Sequence, residues 1–134
     1  MKKYLLDTNI CIYLIKEHPP HLISKLKSLK NVELAISSIT YFELYFGVEK
    51  SEHKEKNSLA LERFISPFEI LEWGLKEAQI AGKIRAQLQK AGTIIGPFDL
   101  LIASQAIVAD RTFVTNNTKE FSRIKELEIE NWVS

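Results

Sequence analysis

The 134-residue sequence contains one cysteine, one methionine, four prolines and only five glycines. Because a disulfide needs two cysteines, no intrachain disulfide forms, and a disulfide-bonded extracellular scaffold is excluded. We expect Cys11, which lies in an apolar run, to be a small buried side chain. The few glycines form no glycine-rich phosphate-binding loop, so that class of nucleotide site is not indicated.

The sequence also lacks a long hydrophobic run and an excess of charge of one sign. Its first apolar stretch, YLLDTNICIYLI, is interrupted by Asp7 and Asn9 and is shorter than the roughly 20 apolar residues that span a membrane. We therefore expect a cytoplasmic protein with no membrane segment. With 18 basic and 17 acidic residues, the net charge is +1. The composition does not indicate nucleic-acid binding, but it leaves open a local basic face.

Short β-rich segments alternate with amphipathic helical segments along the chain. The predicted strands are KKYLLD, VELAIS, FEILEW, RTFVT and, at an edge, LEIENW. The predicted helices are TNICIYLIKE, HLISKLKSLK, residues 38–49, the segment from residue 58 to Pro67, residues 75–90, PFDLLIASQAIVAD and NTKEFSRI. This alternation predicts an α/β fold with a small, mainly parallel sheet covered by helices on both faces. The length favours one domain spanning residues 1–134.

Three acidic residues stand among bulky apolar neighbours instead of among lysines. They are Asp7 in YLLDTNI, Glu43 in ITYFELYFG and Asp99 in GPFDLLIA, and Glu120 in TNNTKEF is a fourth candidate. Each has a structural interpretation: Asp7 as a helix cap, Glu43 in a capping box that begins at Thr40, and the other two as first-turn acids.

These acids fall at or near predicted helix starts, and Asp7, Glu43 and Glu120 each follow a predicted strand. In a parallel sheet such junctions share the carboxyl edge, where open α/β folds place their sites. Converging carboxylates repel one another unless a cation joins them, and an all-oxygen set favours Mg²⁺ or Mn²⁺. Zinc is disfavoured because His18, His21 and His53 lie in polar segments without ligand spacing.

A divalent ion among carboxylates suits phosphodiester hydrolysis. Several neighbouring polar residues are candidates for orienting water or phosphate: Thr8, Asn9, Thr115, Asn116 and Asn117. Two other classes stay open from the residues alone. One is a module that binds RNA or a protein without cutting. The other is a phosphate-transfer enzyme with Asp7 as nucleophile, which usually needs a second acid where Asn9 stands.

Four ordered blocks resemble the PIN domain, and more closely the VapC-type toxins of type II toxin–antitoxin pairs. The blocks are LLDTNICIYLI, ISSITYFELYFGVEKS, GKIRAQLQKAGTIIGPFDLLIASQAI and VTNNTKEFSRI, between residues 5 and 124. The resemblance implies a compact three-layer α/β/α sandwich and a Mg²⁺- or Mn²⁺-dependent endoribonuclease that inhibits translation. It also implies that Asp7, Glu43 and Asp99 are acidic metal-binding positions. Many relatives carry an aspartate where this chain has Asn117, and Glu120 is then expected to supply the fourth acid.

The same resemblance implies the partners. A small VapB-type antitoxin would block the cleft with its C-terminal segment, and promoter DNA would be bound only through the antitoxin complex. A homodimer is expected, and the first candidate substrate is the anticodon stem-loop of initiator tRNA. Candidate contacts with RNA are the basic residues Lys83, Arg85, Lys90, Arg123 and Lys125, with an antitoxin carboxylate as the alternative for Arg85. We expect the aromatic residues Tyr41, Phe42, Tyr45 and Phe46 to be core or dimer contacts.

Overall fold

A computed structural model describes residues 1–134 as five strands and seven helices in an alternating order. The strands are β1 (Lys2–Leu6), β2 (Val32–Ser37), β3 (Glu69–Leu71), β4 (Thr112–Val114) and β5 (Ile129–Glu130). The helices are α1 (Thr8–Ile15), α2 (Pro20–Ser28), α3 (Ser38–Glu49), α4 (Lys54–Ile65), α5 (Leu75–Ala91), α6 (Pro97–Val108) and α7 (Thr118–Phe121).

The strands form one parallel sheet in the order β3-β2-β1-β4-β5. Successive side chains of a strand point to opposite faces, and in β1 Leu5 enters one core cluster while Tyr4 and Leu6 enter the other. Buried residues of α5 and α6 belong to the first cluster, and those of α1, α2, α3 and α4 belong to the second. The predicted three-layer α/β/α sandwich is confirmed.

The strand order places a topological switch point at the centre of the sheet. From β1 the chain proceeds to β2 on one side, and β4 later pairs with the other side of β1. At such a point the connections leave in opposite directions, so a crevice opens beyond the carboxyl ends of the two strands. Asp7 follows β1 directly and Thr115 follows β4 directly.

Two predictions about helices need correction. Helix α4 begins at Lys54, four residues before the predicted start, because Lys and Glu favour a helix even where no apolar periodicity marks one. Of the aromatic side chains of α3, Tyr41 is partly buried against the second core cluster, whereas Phe42, Tyr45 and Phe46 are exposed. For these three residues the core alternative is wrong, and the dimer-contact alternative stays a prediction.

Other predictions about single residues are confirmed. Cys11 is fully buried, and His18, His21 and His53 are exposed. None of the seven helices combines the length and the apolar character needed to cross a membrane.

Candidate active site

Asp7 is a buried carboxylate at the switch point of the sheet. It is the N-cap of α1 in extended conformation, and its side chain is 3% exposed. Its Oδ1 accepts a hydrogen bond from the Thr8 backbone N–H at 2.8 Å, and its Oδ2 accepts one from the Thr115 hydroxyl at 2.7 Å. Burial raises the pKa of Asp7, the two hydrogen bonds oppose this rise, and the charges of Glu43 and Glu120 add to it. The predicted helix cap is confirmed, and it leaves an acid held rigidly in the crevice.

Glu43 reaches the same crevice from the second turn of α3. The predicted capping box beginning at Thr40 is wrong, because α3 begins at Ser38 and its N-cap is Ser37, whose hydroxyl accepts from the Ile39 N–H at 3.0 Å. The hydroxyl of Thr8 instead donates to Glu43 Oε1 at 2.7 Å and lies 3.0 Å from Thr40 Oγ1. Thr8 therefore holds the carboxylate of Glu43 on the side of the crevice where Asp7 lies.

Asp99 approaches the crevice from the first turn of α6. Gly96 is the N-cap and Pro97 the first helical residue, so the predicted third position after Gly96 is confirmed. Burial raises the pKa of Asp99 to about 6, and the negative charges of Asp7, Glu120 and Glu43 contribute to this rise. Burial, together with repulsion from the neighbouring carboxylates, therefore favours the protonated form of Asp99 in the folded protein without a cation.

Glu120 links α7 to the start of α6. Its Oε1 accepts a hydrogen bond from the Gly96 backbone N–H at 3.0 Å, and its Oε2 accepts one from Asn117 Nδ2 at 2.9 Å. These two donors hold the pKa of Glu120 below its usual value. Oε1 thus holds the start of α6, three residues before Asp99, and Oε2 holds Asn117 at the start of α7.

A cleft of about 600 Å³ brings the first three acids together. Its lining residues are Asp7, Thr8, Asn9, Ile12, Phe42, Glu43, Phe46, Phe98 and Asp99. No basic side chain is among them, so the cleft is strongly electronegative. An opening of this size accommodates a small ligand or part of a larger one.

Comparisons with known proteins show the family to which the chain belongs. A family model described as the PIN domain matches residues 4–127. Ribonuclease VapC2 of Rickettsia felis is 49% identical to the chain over 130 residues, which cover 96% of this chain and 97% of that protein. The chain belongs to the VapC family of PIN-domain ribonucleases.

Further VapC relatives extend the match over almost the whole chain. The tRNA(fMet)-specific endonuclease VapC of Salmonella typhimurium is 43% identical, with 98% of this chain and 99% of that protein covered. Among solved structures, VapBC2 from R. felis bound to a promoter DNA fragment has a TM-score of 0.92 at 48% identity, covering 97% and 98% of the two chains. DNA-bound VapBC from S. typhimurium has a TM-score of 0.91 at 42% identity, covering 98% and 99%.

The other predicted residues of this VapC chain lie in different places. Asn9 lines the cleft, and Asn117 binds Glu120. Asn116 is exposed, and its Oδ1 accepts from Asn131 Nδ2 at 3.3 Å. Lys83 and Arg85 are exposed on α5, and Arg85 lines a separate, largely apolar groove of about 450 Å³.

Sequence reasoning did not assign Thr40, Gly96 or Phe98 to the site. Thr40 is fully buried beside Thr8, Gly96 donates to Glu120, and Phe98 lines the cleft next to Asp99. The one signal for Phe98 was its position directly before an acid in an apolar segment. That position does not distinguish a core residue from one at the rim of a cleft.

The carboxylates of this VapC chain suit a divalent cation by their chemistry. The site is all-oxygen and electronegative, and a cation would offset the burial and the carboxylate repulsion that raise the pKa of Asp99. In the structure as it stands, no three His, Cys, Asp or Glu side chains are positioned as a closed metal site.

Proposed function

We propose that this VapC chain is the toxin of a type II toxin–antitoxin system and acts in the cytoplasm as a Mg²⁺-dependent endoribonuclease, with Mn²⁺ as an alternative ion. Residues 1–134 act as one PIN domain that hydrolyses RNA phosphodiester bonds and thereby inhibits translation. The observation that carries this proposal is the convergence of Asp7, Glu43 and Asp99 in one cleft at the carboxyl edge of the sheet.

Asp7, Glu43 and Asp99 would hold the ion, with Glu120 as the predicted fourth acid. A bound divalent ion lowers the pKa of a water molecule and offsets the charge of the phosphate. The residues around the acids keep the carboxylates in place. Thr115 and the backbone N–H of Thr8 orient Asp7, and the Thr8 hydroxyl orients Glu43. Such supporting contacts typically change metal affinity or activity 10- to 100-fold when removed.

The proposed substrate is initiator tRNA, cut in its anticodon stem-loop. Support comes from two related proteins, one from S. typhimurium and one from Shigella flexneri. Both are named tRNA(fMet)-specific endonuclease VapC, and they are 43% and 41% identical to this chain. Single-stranded loops are the usual target of specific RNA recognition because their bases are accessible. Lys83 stays a predicted RNA contact.

The proposed protein partner is a VapB-type antitoxin, and the toxin itself is proposed to be a homodimer. The similar solved structures are VapBC complexes, two of them bound to DNA. We propose that promoter DNA is bound only through such a complex. Arg85 suits an antitoxin contact, because it stands in an apolar groove beside Leu88 and Leu101 instead of in the acidic cleft.

Cleavage of end-labelled initiator tRNA by the purified chain tests the function. We expect fragments to appear with Mg²⁺, to disappear with excess EDTA and to be absent for Asp7→Asn. The control variant is Leu59→Ala, which alters an exposed side chain of α4 outside the cleft. Undiminished cutting by Asp7→Asn, or binding of RNA without cutting at any Mg²⁺ concentration, would contradict the proposal.

A further inference from the structure

Three phenylalanine side chains form the apolar part of the acidic cleft. Phe42, Phe46 and Phe98 are 53%, 57% and 44% exposed, and all three line the same opening as Asp7, Glu43 and Asp99. The Phe42 and Phe98 ring centroids are 5.6 Å apart, with ring planes inclined at 55°. Phe42 and Phe46 are four residues apart and therefore share one face of α3. We call these three rings the aromatic rim.

Two rings of the aromatic rim are adjacent to acids in the sequence as well as in the cleft. Phe42 directly precedes Glu43, and Phe98 directly precedes Asp99. Helices α3 and α6 therefore each present an acid and an aromatic ring to the same cleft. A group that binds at the acids lies next to a π face.

We propose that the aromatic rim is a stacking platform for an unpaired nucleobase next to the scissile phosphate. The inference rests on the proposed ribonuclease function, and it adds that the site recognises an unpaired nucleotide. The phosphate lies at the acids, while the base of a neighbouring nucleotide packs against the rings. Since every base has a π face, the platform selects unpaired nucleotides more than particular bases.

The charges at the cleft favour RNA as the occupant. The acids bring the cation that a phosphate requires, and Lys50 places its Nζ 5.2 Å from the Phe46 ring centroid. The rim therefore combines an aromatic surface with a positive charge at its outer edge. Single-stranded nucleic acids are commonly bound by this combination of stacking rings and basic side chains.

The size of the rim argues against a second copy of the chain as its main occupant. An aromatic side chain offers about 150–250 Å² in full, so three half-exposed rings present roughly 300 Å². A stable protein interface needs about 800 Å² on each partner. A nucleobase, in contrast, is covered by one or two rings.

A double-mutant cycle between protein and RNA tests the platform. The probe is a synthetic anticodon stem-loop of initiator tRNA, prepared with and without an abasic nucleotide at each position flanking the mapped cut. Binding is measured in Mg²⁺ by fluorescence anisotropy, in an Asp7→Asn background to prevent turnover. Phe46→Leu removes the π face and keeps an apolar side chain, and Phe46→Tyr keeps the ring.

We expect Phe46→Leu to weaken binding of the intact RNA by about 5- to 150-fold, the range that corresponds to stacking of one base. Phe46→Tyr should change it by less than about threefold, a small fraction of that stacking effect. At one flanking position the abasic RNA should bind equally to the protein that retains Phe46 and to the Phe46→Leu variant, because the interaction is already lost. The same pattern should appear in kcat/KM for cleavage with Asp7 intact, and Leu59→Ala should match the wild-type protein throughout.

The outcomes separate this inference from the proposed function. If the wild-type chain cuts the RNA in Mg²⁺ and Phe46→Leu binds and cuts it equally well, the platform is wrong and the ribonuclease stands. If Phe46→Leu changes the sedimentation coefficient of the protein without RNA, the rim is a contact between protein copies and the platform is overturned. If no RNA is cut, the proposed function fails, and the platform is overturned as well if Phe46→Leu binds the intact stem-loop as tightly as the protein that retains Phe46.

Discussion

At the scale of single residues, the site depends on acids that are kept where water cannot fully solvate them. Asp7 is nearly buried and Asp99 is partly buried, and the pKa of each is raised by burial and by neighbouring carboxylates. Such a cluster costs stability in the protein without a cation. The proposed divalent ion would offset this cost by supplying the missing positive charge.

Asp7→Asn is expected to separate folding from activity. Asparagine caps a helix as well as aspartate does, so the contact to the Thr8 N–H is retained while the repelling charge is removed. In EDTA the variant should melt at the wild-type temperature or higher, whereas Asp7→Ala should lose about 1 kcal/mol with the cap. RNA cleavage should fall more than about 100-fold in both, since even the contacts that support a metal ligand account for 10- to 100-fold. Calorimetry and a cleavage assay measure the two effects, and a lower melting temperature for Asp7→Asn than for Asp7→Ala would contradict the argument.

Asp99 is expected to make the stability of the cation-free protein depend on pH. Its pKa rises from the usual 3.8 to about 6 on folding, so between these values the folded state binds more protons than the unfolded state. Stability therefore decreases as pH rises from about 4 to 6, and the deficit stays constant above that range. The measurement is the difference in urea midpoint between the wild-type chain and Asp99→Asn across pH 4–7.5 in EDTA.

The wild-type chain should lose stability relative to Asp99→Asn over that pH interval. The comparison cancels the part of the opposite Glu120 contribution that comes from Gly96 and Asn117, the two largest causes of its lowered pKa. Repeating the series with Mg²⁺ should flatten the difference, because a bound cation favours the ionised carboxylate. A difference that is independent of pH in EDTA would show that Asp99 titrates normally.

At the scale of elements, the site is assembled from the first turns of α1 and α6, the second turn of α3 and the short helix α7. Glu120 connects two of these elements through the Gly96 N–H and the Asn117 side chain. Both oxygens of Glu120 accept hydrogen bonds. Glu120 can therefore support activity in two ways that substitutions distinguish: it can hold the start of α6 in position, or it can bind the ion directly.

Glu120→Gln and Glu120→Ala distinguish these two roles. Glutamine keeps an acceptor oxygen for the Gly96 N–H, whereas alanine keeps none. We expect Glu120→Gln to retain cleavage within roughly threefold and Glu120→Ala to lose about 10- to 100-fold, the range for contacts that support a metal site. Titration of activity with Mg²⁺ measures both variants. Equal losses for the two would assign Glu120 to the ion itself, as the sequence predicted.

Helices and strands with a strong apolar periodicity could be predicted from the sequence, whereas contacts between these elements were harder to predict. The strand at β2 and the long helix α5 follow directly from their apolar spacing, and Asp7 was identified because an acid in an apolar run is unusual. The capping box at Thr40 failed because Ser37, three residues earlier, already caps α3. The core alternative for Phe42 and Phe46 failed because hydrophobicity does not reveal whether a helix face is covered, which depends on distant parts of the chain.

At the scale of the whole molecule, a nearly neutral chain places three of its 17 acidic residues together at one edge of the sheet. The net charge is +1, yet the cleft at the carboxyl ends of β1 and β4 is lined by three carboxylates and no basic side chain. The two cores on either side of the sheet hold this edge in place against the repulsion. Global stability should therefore report directly on cation binding.

Mg²⁺ is expected to raise the melting temperature of the whole chain. A ligand that binds only the folded state adds RT ln(1 + [L]/Kd), or about 1.4 kcal/mol at ten times Kd, which corresponds to roughly 3–6 °C for a chain of this size. Differential scanning fluorimetry with Mg²⁺, against NaCl of equal ionic strength, separates specific binding from screening.

Asp99→Asn is the matched variant, because it removes one carboxylate of the cleft and relieves repulsion without the cation. Its melting temperature should be higher than that of the wild-type chain in EDTA and should respond weakly to Mg²⁺, whereas an equal response of both proteins would mean that the ion binds elsewhere.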